Sequence, residues 1–184
     1  SSAASDVYKR QGLLVLLILF VITGCSIGNS PKSKVEALLM KYQTNSSELK
    51  TELDDFLASI NAADDYKDEY RKVYERQYKD LKYKIKDEKI DGDKATVTAE
   101  IEVYDYYKTE ADATSYIASN PNEFNDNGVY SVSKGLEYKI KAYNNTKDRV
   151  TYTIDFTLTK TDNKWTIDPL TDDELAKLHG TYVH

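Results

Sequence analysis

The sequence predicts an α+β domain in which N-terminal helices pack on a curved antiparallel sheet. Apolar residues recur at helical spacing through the first part of the chain, and from Tyr83 the period switches to two. A third observation separates leader from domain: ten uncharged apolar residues, Leu13 to Ile22, run up to the only cysteine, Cys25. Residues 34–184 are therefore read as a single α+β domain. The 160 residues from Cys25 onward are enough for one hydrophobic core.

The elements follow in order. "SIGNSPKS", with Gly28 and Pro31, reads as a polar tether, so residues 25–33 are assigned to Cys25 and its linker. Val35, Leu38, Leu39 and Tyr42 fall at i, i+3, i+4 and i+7 and predict the first helix. "TNSS" interrupts that stripe. Ser46 or Ser47 then caps a second helix with Leu49, Leu53, Phe56, Leu57 and Ile60 on one face. After "NAADD", the residues Tyr66, Tyr70, Val73, Gln77 and Leu81 line one side of a third helix, with acids near its start that suit the macrodipole.

"YKIKDEKI" and "KATVTAEIEVYDYY" predict two strands joined across "DGD". Ala95, Val97, Ala99, Ile101 and Val103 share one face, against Thr96, Thr98, Glu100 and Glu102 on the other, the mark of an antiparallel sheet with one wet side. In the segment that follows, "TEADATSYIAS" predicts a short helix and "NPNEFNDNG" a loop. "SKGLEYKIKAYNN" fits a helix through Leu136, Ile140 and Tyr143 and a strand through Leu136, Tyr138, Ile140 and Ala142; the helix is preferred.

Val150, Tyr152, Ile154, Phe156 and Leu158 give another strand, and "TDNK" turns it into "WTIDP". There Trp165 and Ile167 share a face and are expected to pack toward Val150, Tyr152, Ile154 and Phe156. "TDDELAKLHG" closes with Thr171 as cap, acids in the first turn and Gly180 at the C′ position.

The apolar run is half the roughly 20 residues a membrane-crossing helix needs and has the length of a signal-peptide core. A short buried helix is the alternative, but the run lacks the polar face of a globular helix. Ile22, Thr23, Gly24 and Cys25 resemble the bacterial lipobox. That resemblance implies a signal peptide over residues 1–24, and a diacylglycerol on the Cys25 thiol, which becomes the first residue of the mature chain. "SSAASDVYKRQ" at the start resembles a translated adapter, and if residues 1–11 are instead native, Lys9 and Arg10 serve as a basic n-region; residues 1–24 are left out of the fold reading.

Without residues 1–24, 30 acidic residues stand against 23 basic ones, a net charge of −7. That balance disfavours nucleic acid and anionic lipid surfaces, where phosphate neutralisation drives affinity. With Cys25 lipidated, no thiol remains for a disulfide, a redox pair or a thiolate metal site. No cofactor or metal is expected.

Helices first, then an antiparallel meander with a tryptophan strand near the end, resemble the nuclear transport factor 2-like (cystatin-like) roll. More narrowly, "RVTYTIDFTLTKTDNKWTIDPLTDDELAKLHGTY" resembles the closing half of small lipoproteins from Gram-positive bacteria that carry such a domain. The segment 108–147 departs from the minimal roll. The resemblance implies a lipid-anchored protein on the extracytoplasmic face of the cell membrane, where the roll binds a small molecule, a peptide or an envelope protein. Because that superfamily holds enzymes as well as binding modules, fold alone does not choose between them.

Candidate site residues are few. Tyr66, Tyr70, Tyr74 and Tyr78 recur every four residues, either lining a cavity or packing on the sheet with hydroxyl tips in water; packing is preferred. Asp105 falls on the core face when counted by two from Val103. An isomerase-like enzyme of this fold would use such a carboxylate as general base, so Tyr70, Tyr74 and Asp105 are the candidate pocket. The preferred reading has the strand ending near Val103 with Asp105 facing solvent, and no catalytic residue is assigned. "EFNDNG" imitates part of a calcium loop, but Lys134 stands where the bidentate acid belongs. Of the two histidines, His179 in the last turn of a helix is expected to complement its dipole as a cation, and His184 is the last residue.

Overall fold

The computed structural model describes residues 28–44, 46–59 and 64–184. The chain runs through helices α1 (Pro31–Gln43) and α2 (Ser47–Ser59), a 3₁₀ turn (Asp64–Tyr66), helix α3 (Lys67–Lys79), and strands β1 (Lys82–Asp91) and β2 (Lys94–Tyr104). An insertion follows: α4 (Tyr106–Ser119), α5 (Pro121–Phe124), a small hairpin of β3 (Asn125–Asp126) and β4 (Val129–Tyr130), and α6 (Val132–Asn145). Strands β5 (Arg149–Thr161) and β6 (Lys164–Ile167) and helix α7 (Asp172–His179) complete it. The class is α+β, as the two periodicities predict.

The main sheet is antiparallel with strand order β1-β2-β5-β6. Its spine is the β2–β5 ladder, paired from Lys94 opposite Thr159 to Tyr104 opposite Arg149. Alternation decides the faces. Ala95, Val97, Ala99, Ile101 and Val103 join Tyr152, Ile154, Phe156 and Leu158 in the core, while Thr151, Thr153, Asp155 and Thr157 are exposed. On that wet face Thr98 of β2 donates to Asp155 of β5 at 2.6 Å.

Helices cover the other face with their predicted stripes. Val35, Leu38, Leu39 and Tyr42 of α1 and Leu49, Leu53 and Leu57 of α2 are buried in the same core, with Phe56 packed at its margin. Each such aliphatic side chain contributes about 1.5–3 kcal/mol by leaving water. Ile60, predicted for this face, lies outside the described residues, as does Cys25.

Two predicted boundaries are corrected. α1 begins at Pro31, inside the stretch assigned to the tether, because Ser30 caps it reciprocally with Ser33 and Pro31 occupies the first turn, where no N–H is needed. The segment "NPNEFNDNG" is not a plain loop. Pro121 opens α5, and Asn127 (φ 51°) with Gly128 (φ 81°) makes the two-residue turn joining β3 to β4. Lys134, standing where a calcium loop would need its bidentate acid, pairs instead with Asp126, its Nζ 2.5 Å from Oδ1. In the ambiguous stretch the helical period wins: α6 buries Gly135 and Ile140.

Trp165 is 7% exposed and belongs to the core formed by β5 and α1. Its backbone N–H donates to Asn29 Oδ1 at 3.2 Å, and Ile167 stands opposite Leu158. Trp165→Ala should therefore cost about 3–5 kcal/mol of unfolding free energy, from lost burial plus a cavity. Urea denaturation followed by circular dichroism would measure it, and a change under about 1 kcal/mol would contradict this placement.

Candidate functional site

The β2–β5 ladder stops at Tyr104 and Arg149, and beyond it the backbone polar groups need partners from elsewhere. Gln77 of α3 supplies them. Its Oε1 accepts from Tyr104 N–H at 2.7 Å, and its Nε2 donates to Tyr104 O at 2.9 Å and to His179 O at 2.8 Å. The side chain is wholly buried. Gly180, at φ 72°, fits against this knot because a Cβ there would stand 2.1 Å from Tyr104 O. Gly180 O in turn accepts from Tyr107 N–H at 2.8 Å. Sequence reasoning treated Gln77 as one more member of a helical stripe. An amide between the apolar positions Val73 and Leu81 was the available signal.

Asp105 does not face solvent; it is 5% exposed. The strand ends one residue before it, and the carboxylate turns inward to cap α4, Oδ1 accepting from Lys108 N–H at 2.8 Å. Its own N–H donates to Asp148 O at 3.0 Å. Oδ2 lies 3.3 Å from His184 Nε2, while His184 Nδ1 lies 3.3 Å from the Tyr152 hydroxyl, which also donates to Tyr182 O. His184 thus lies against the carboxylate, a contact that counting along the strand does not show.

His179 is corrected as well. It does not serve as a cation at the end of α7: it is packed among Phe56, Tyr74 and Tyr78, with ring centroids 4.7, 5.5 and 5.8 Å away. Burial pushes its pKa down to about 4, so it is neutral near pH 7, with Nδ1 3.3 Å from the Tyr78 hydroxyl.

Tyr66 at the N-cap of α3 and Tyr70 and Tyr74 along it are half-buried and Tyr78 is fully buried, so the last of the four does not keep its tip in water. Burial pushes the Tyr74 and Tyr78 hydroxyls up. Tyr106, pushed up to about 12 mainly by burial, donates to Val73 O at 3.0 Å. Glu110 ties α4 to α6 by accepting from Lys139 Nζ at 2.5 Å and from the Tyr143 hydroxyl at 2.6 Å. Tyr70 lies in the field of that carboxylate, which adds to the effect of its burial. The candidate residues therefore fall into separate groups. Asp105 contacts Lys108 and His184, whereas Tyr74 contacts Phe56, Tyr78, Tyr106 and His179.

An open cleft of about 480 Å³ lies between the start of α3 and α6, lined by Asp65, Tyr66, Glu69, Glu137, Ile140 and Lys141 among others. The Tyr66 hydroxyl bridges to Glu137 Oε1 at 3.3 Å. Tyr70, Tyr74 and Asp105 are not part of this lining. Among the described residues, no three His, Cys, Asp or Glu side chains are grouped so as to hold a metal ion, and no helix is long and apolar enough to cross a membrane.

No family model and no curated protein matches the chain. A crystal structure described as that of a "putative lipoprotein" from Bacillus subtilis aligns with it at 18% identity and a TM-score of 0.41, covering 97% of this chain and 56% of that one. The chain thus spans little more than half the length of that protein.

The buried imidazole carries a pH consequence. Below its ordinary value of 6.5, His179 takes up a proton in the unfolded chain before it does so in the folded one, whose pKa is about 4. Stability attributable to this group is therefore intact above pH 6.5 and falls as pH drops toward 4, by about 3 kcal/mol. Urea midpoints of the wild type and His179→Gln, compared across that window, should converge as the pH falls; parallel curves would contradict the neutral buried state.

Proposed function

We propose that this chain is a lipid-anchored protein of the extracytoplasmic face of the cell membrane, whose domain recognises a partner rather than transforms a substrate. The stretch Leu13 to Cys25 carries the anchoring half of this reading: an apolar core of signal-peptide length, small residues and a thiol at the position that receives lipid. Two or more acyl chains hold a protein firmly where a single one holds it only marginally. The order of elements supports a cystatin-like, nuclear transport factor 2-like roll enlarged by the segment between β2 and β5.

Recognition is favoured because Asp105 and the hydroxyls of Tyr106, Tyr143 and Tyr152 are already engaged. A general base needs a lone pair aimed at substrate. Asp105 directs one carboxylate oxygen to the first turn of α4 and the other to His184. The hydroxyls of Tyr106, Tyr143 and Tyr152 donate to Val73 O, Glu110 and Tyr182 O. The cleft between α3 and α6 offers a small molecule, a peptide or an envelope protein an open surface of mixed polarity.

A second reading draws on one specific observation. Asp105, His184 and Tyr152 form a carboxylate–imidazole–hydroxyl series, a set of groups suited to proton transfer in an isomerase-like enzyme.

Intact-mass analysis of membrane-processed protein should give a chain beginning at a lipid-modified Cys25, and Cys25→Ala should lose both the modification and membrane partitioning. An unmodified thiol on the processed protein would overturn the anchoring half. For the other half, a ligand captured from envelope extract should be released chromatographically unchanged. Its conversion to a new species, abolished by Asp105→Asn, would replace recognition with catalysis.

A further inference from the structure

We infer that the hairpin-turn end of the main sheet is the surface that rests against the phospholipid bilayer, and that the insertion between β2 and β5 is carried at the opposite, outward end. This rests on the proposed lipidation of Cys25 and deepens it from an anchor to an orientation.

Covalent geometry supplies the first step. From Cys25 to Asn29 is four residues, a reach of at most about 14 Å however the chain runs. Asn29 is pinned to the sheet: its Nδ2 donates to Asn163 O, and its Oδ1 accepts from Trp165 N–H at 3.2 Å. Asn163 belongs to the β5–β6 turn, where it and Asp162 both have positive φ, so the anchor point and that turn are neighbours.

The β1–β2 turn lies at the same end. Lys160 N–H donates to Asp93 O at 2.8 Å, joining the two turns, and Lys32 N–H at the start of α1 donates to Glu88 Oε1 of β1 at 2.8 Å. A lipid on Cys25 therefore brings both turns close to the headgroups.

The surface at that end suits a neutral phospholipid interface. Ile90 is 57% exposed at the tip of β1, beside the exposed Lys89 and, across the turn, Lys94, while Lys164 is exposed at the same end on the opposite edge strand β6. An aliphatic tip flanked by lysines can place its methyls at the level of the lipid carbonyls while the ammonium groups meet phosphates. Asp91, Asp93 and Asp162 at the same end keep it from being a polybasic patch, so the acyl chains hold the protein and this surface sets its attitude.

The other end follows from strand length. At about 3.3 Å per residue, β2 carries the chain roughly 33 Å from Lys94 to Tyr104. The insertion leaves the sheet at Tyr104 and rejoins it at Arg149, which are paired with each other at that far end. It carries one wall of the cleft, together with the exposed Val129, Tyr130 and Val132. Anchoring by the turns thus directs these features toward the cell exterior.

The test uses the full lipidated chain in phosphatidylcholine vesicles. Flotation comes first; failure to float would overturn the anchoring reading and the orientation with it, before any optical measurement. With floating protein, a dye on Lys164→Cys should be quenched several-fold more strongly by headgroup-labelled lipid than the same dye on Ser133→Cys, both being exposed positions and Cys25 being blocked by lipid. Equal quenching, or stronger quenching at position 133, would overturn the orientation while leaving the anchor intact.

A measurement without substitution in the domain accompanies it. Trp165, the only tryptophan, should transfer energy efficiently to dansyl lipid. Inserting about 20 Gly/Ser residues before Gly28, which allows a separation of about 25 Å, should weaken that transfer. Transfer unchanged by the spacer would show that the four-residue reach does not hold the turns at the bilayer.

Discussion

One carboxamide closes this fold. Gln77 satisfies both backbone groups of Tyr104 where the central ladder runs out and, with the same Nε2, one of the last carbonyls of α7. Helix α3, strand β2 and the C-terminal helix are locked at a single buried point. An orphaned backbone group there would cost about 1–3 kcal/mol, and losing the amide would orphan several at once. Gly180 must be glycine for the same reason, since backbone and amide approach it too closely for a Cβ.

Around that point the interior is unusually aromatic and hydroxylated, and several of its polar tips find protein partners. Tyr106 reaches a helix carbonyl, Tyr78 meets a neutral imidazole, and Tyr143 meets a carboxylate that also holds a lysine. Arg76 extends the pattern: its guanidinium lies 3.6 Å from the Tyr104 ring centroid and donates to Tyr143 O and Thr146 O. Polar groups taken out of water in this way specify one arrangement, because any other leaves some of them unpaired. The insertion is bound to the domain chiefly through these contacts, with a small second core of Val73, Tyr106 and Ile140 beneath them.

The two ends of the sheet consequently differ in kind. At one, the short β1–β2 and β5–β6 turns gather beside Asn29 and the cap of α1. At the other, a 44-residue excursion from Asp105 to Asp148 builds additional surface without disturbing the ladder, because Tyr104 and Arg149 remain paired across its base. Growth at a strand end is the economical place for a new surface, since no ladder hydrogen bond has to be given up.

The sequence by itself determined the class and most of the elements. Residue period is a local property: the stripes of α1 and α2, the alternation of β2 and β5 and the Thr171 capping box could each be read within a dozen residues. Asn127-Gly128 is equally legible as a two-residue hairpin turn within the stretch read as a loop. The tertiary structure alone decided the site. Gln77 meets Tyr104 across 27 positions and His179 across 102, and Asp105 is buried by residues nearly 80 positions away. Counting by two along one strand could show which way Asp105 pointed. Whether water or another segment of chain would meet it there depends on how the elements stack, and stacking is fixed by long-range packing that no local period records.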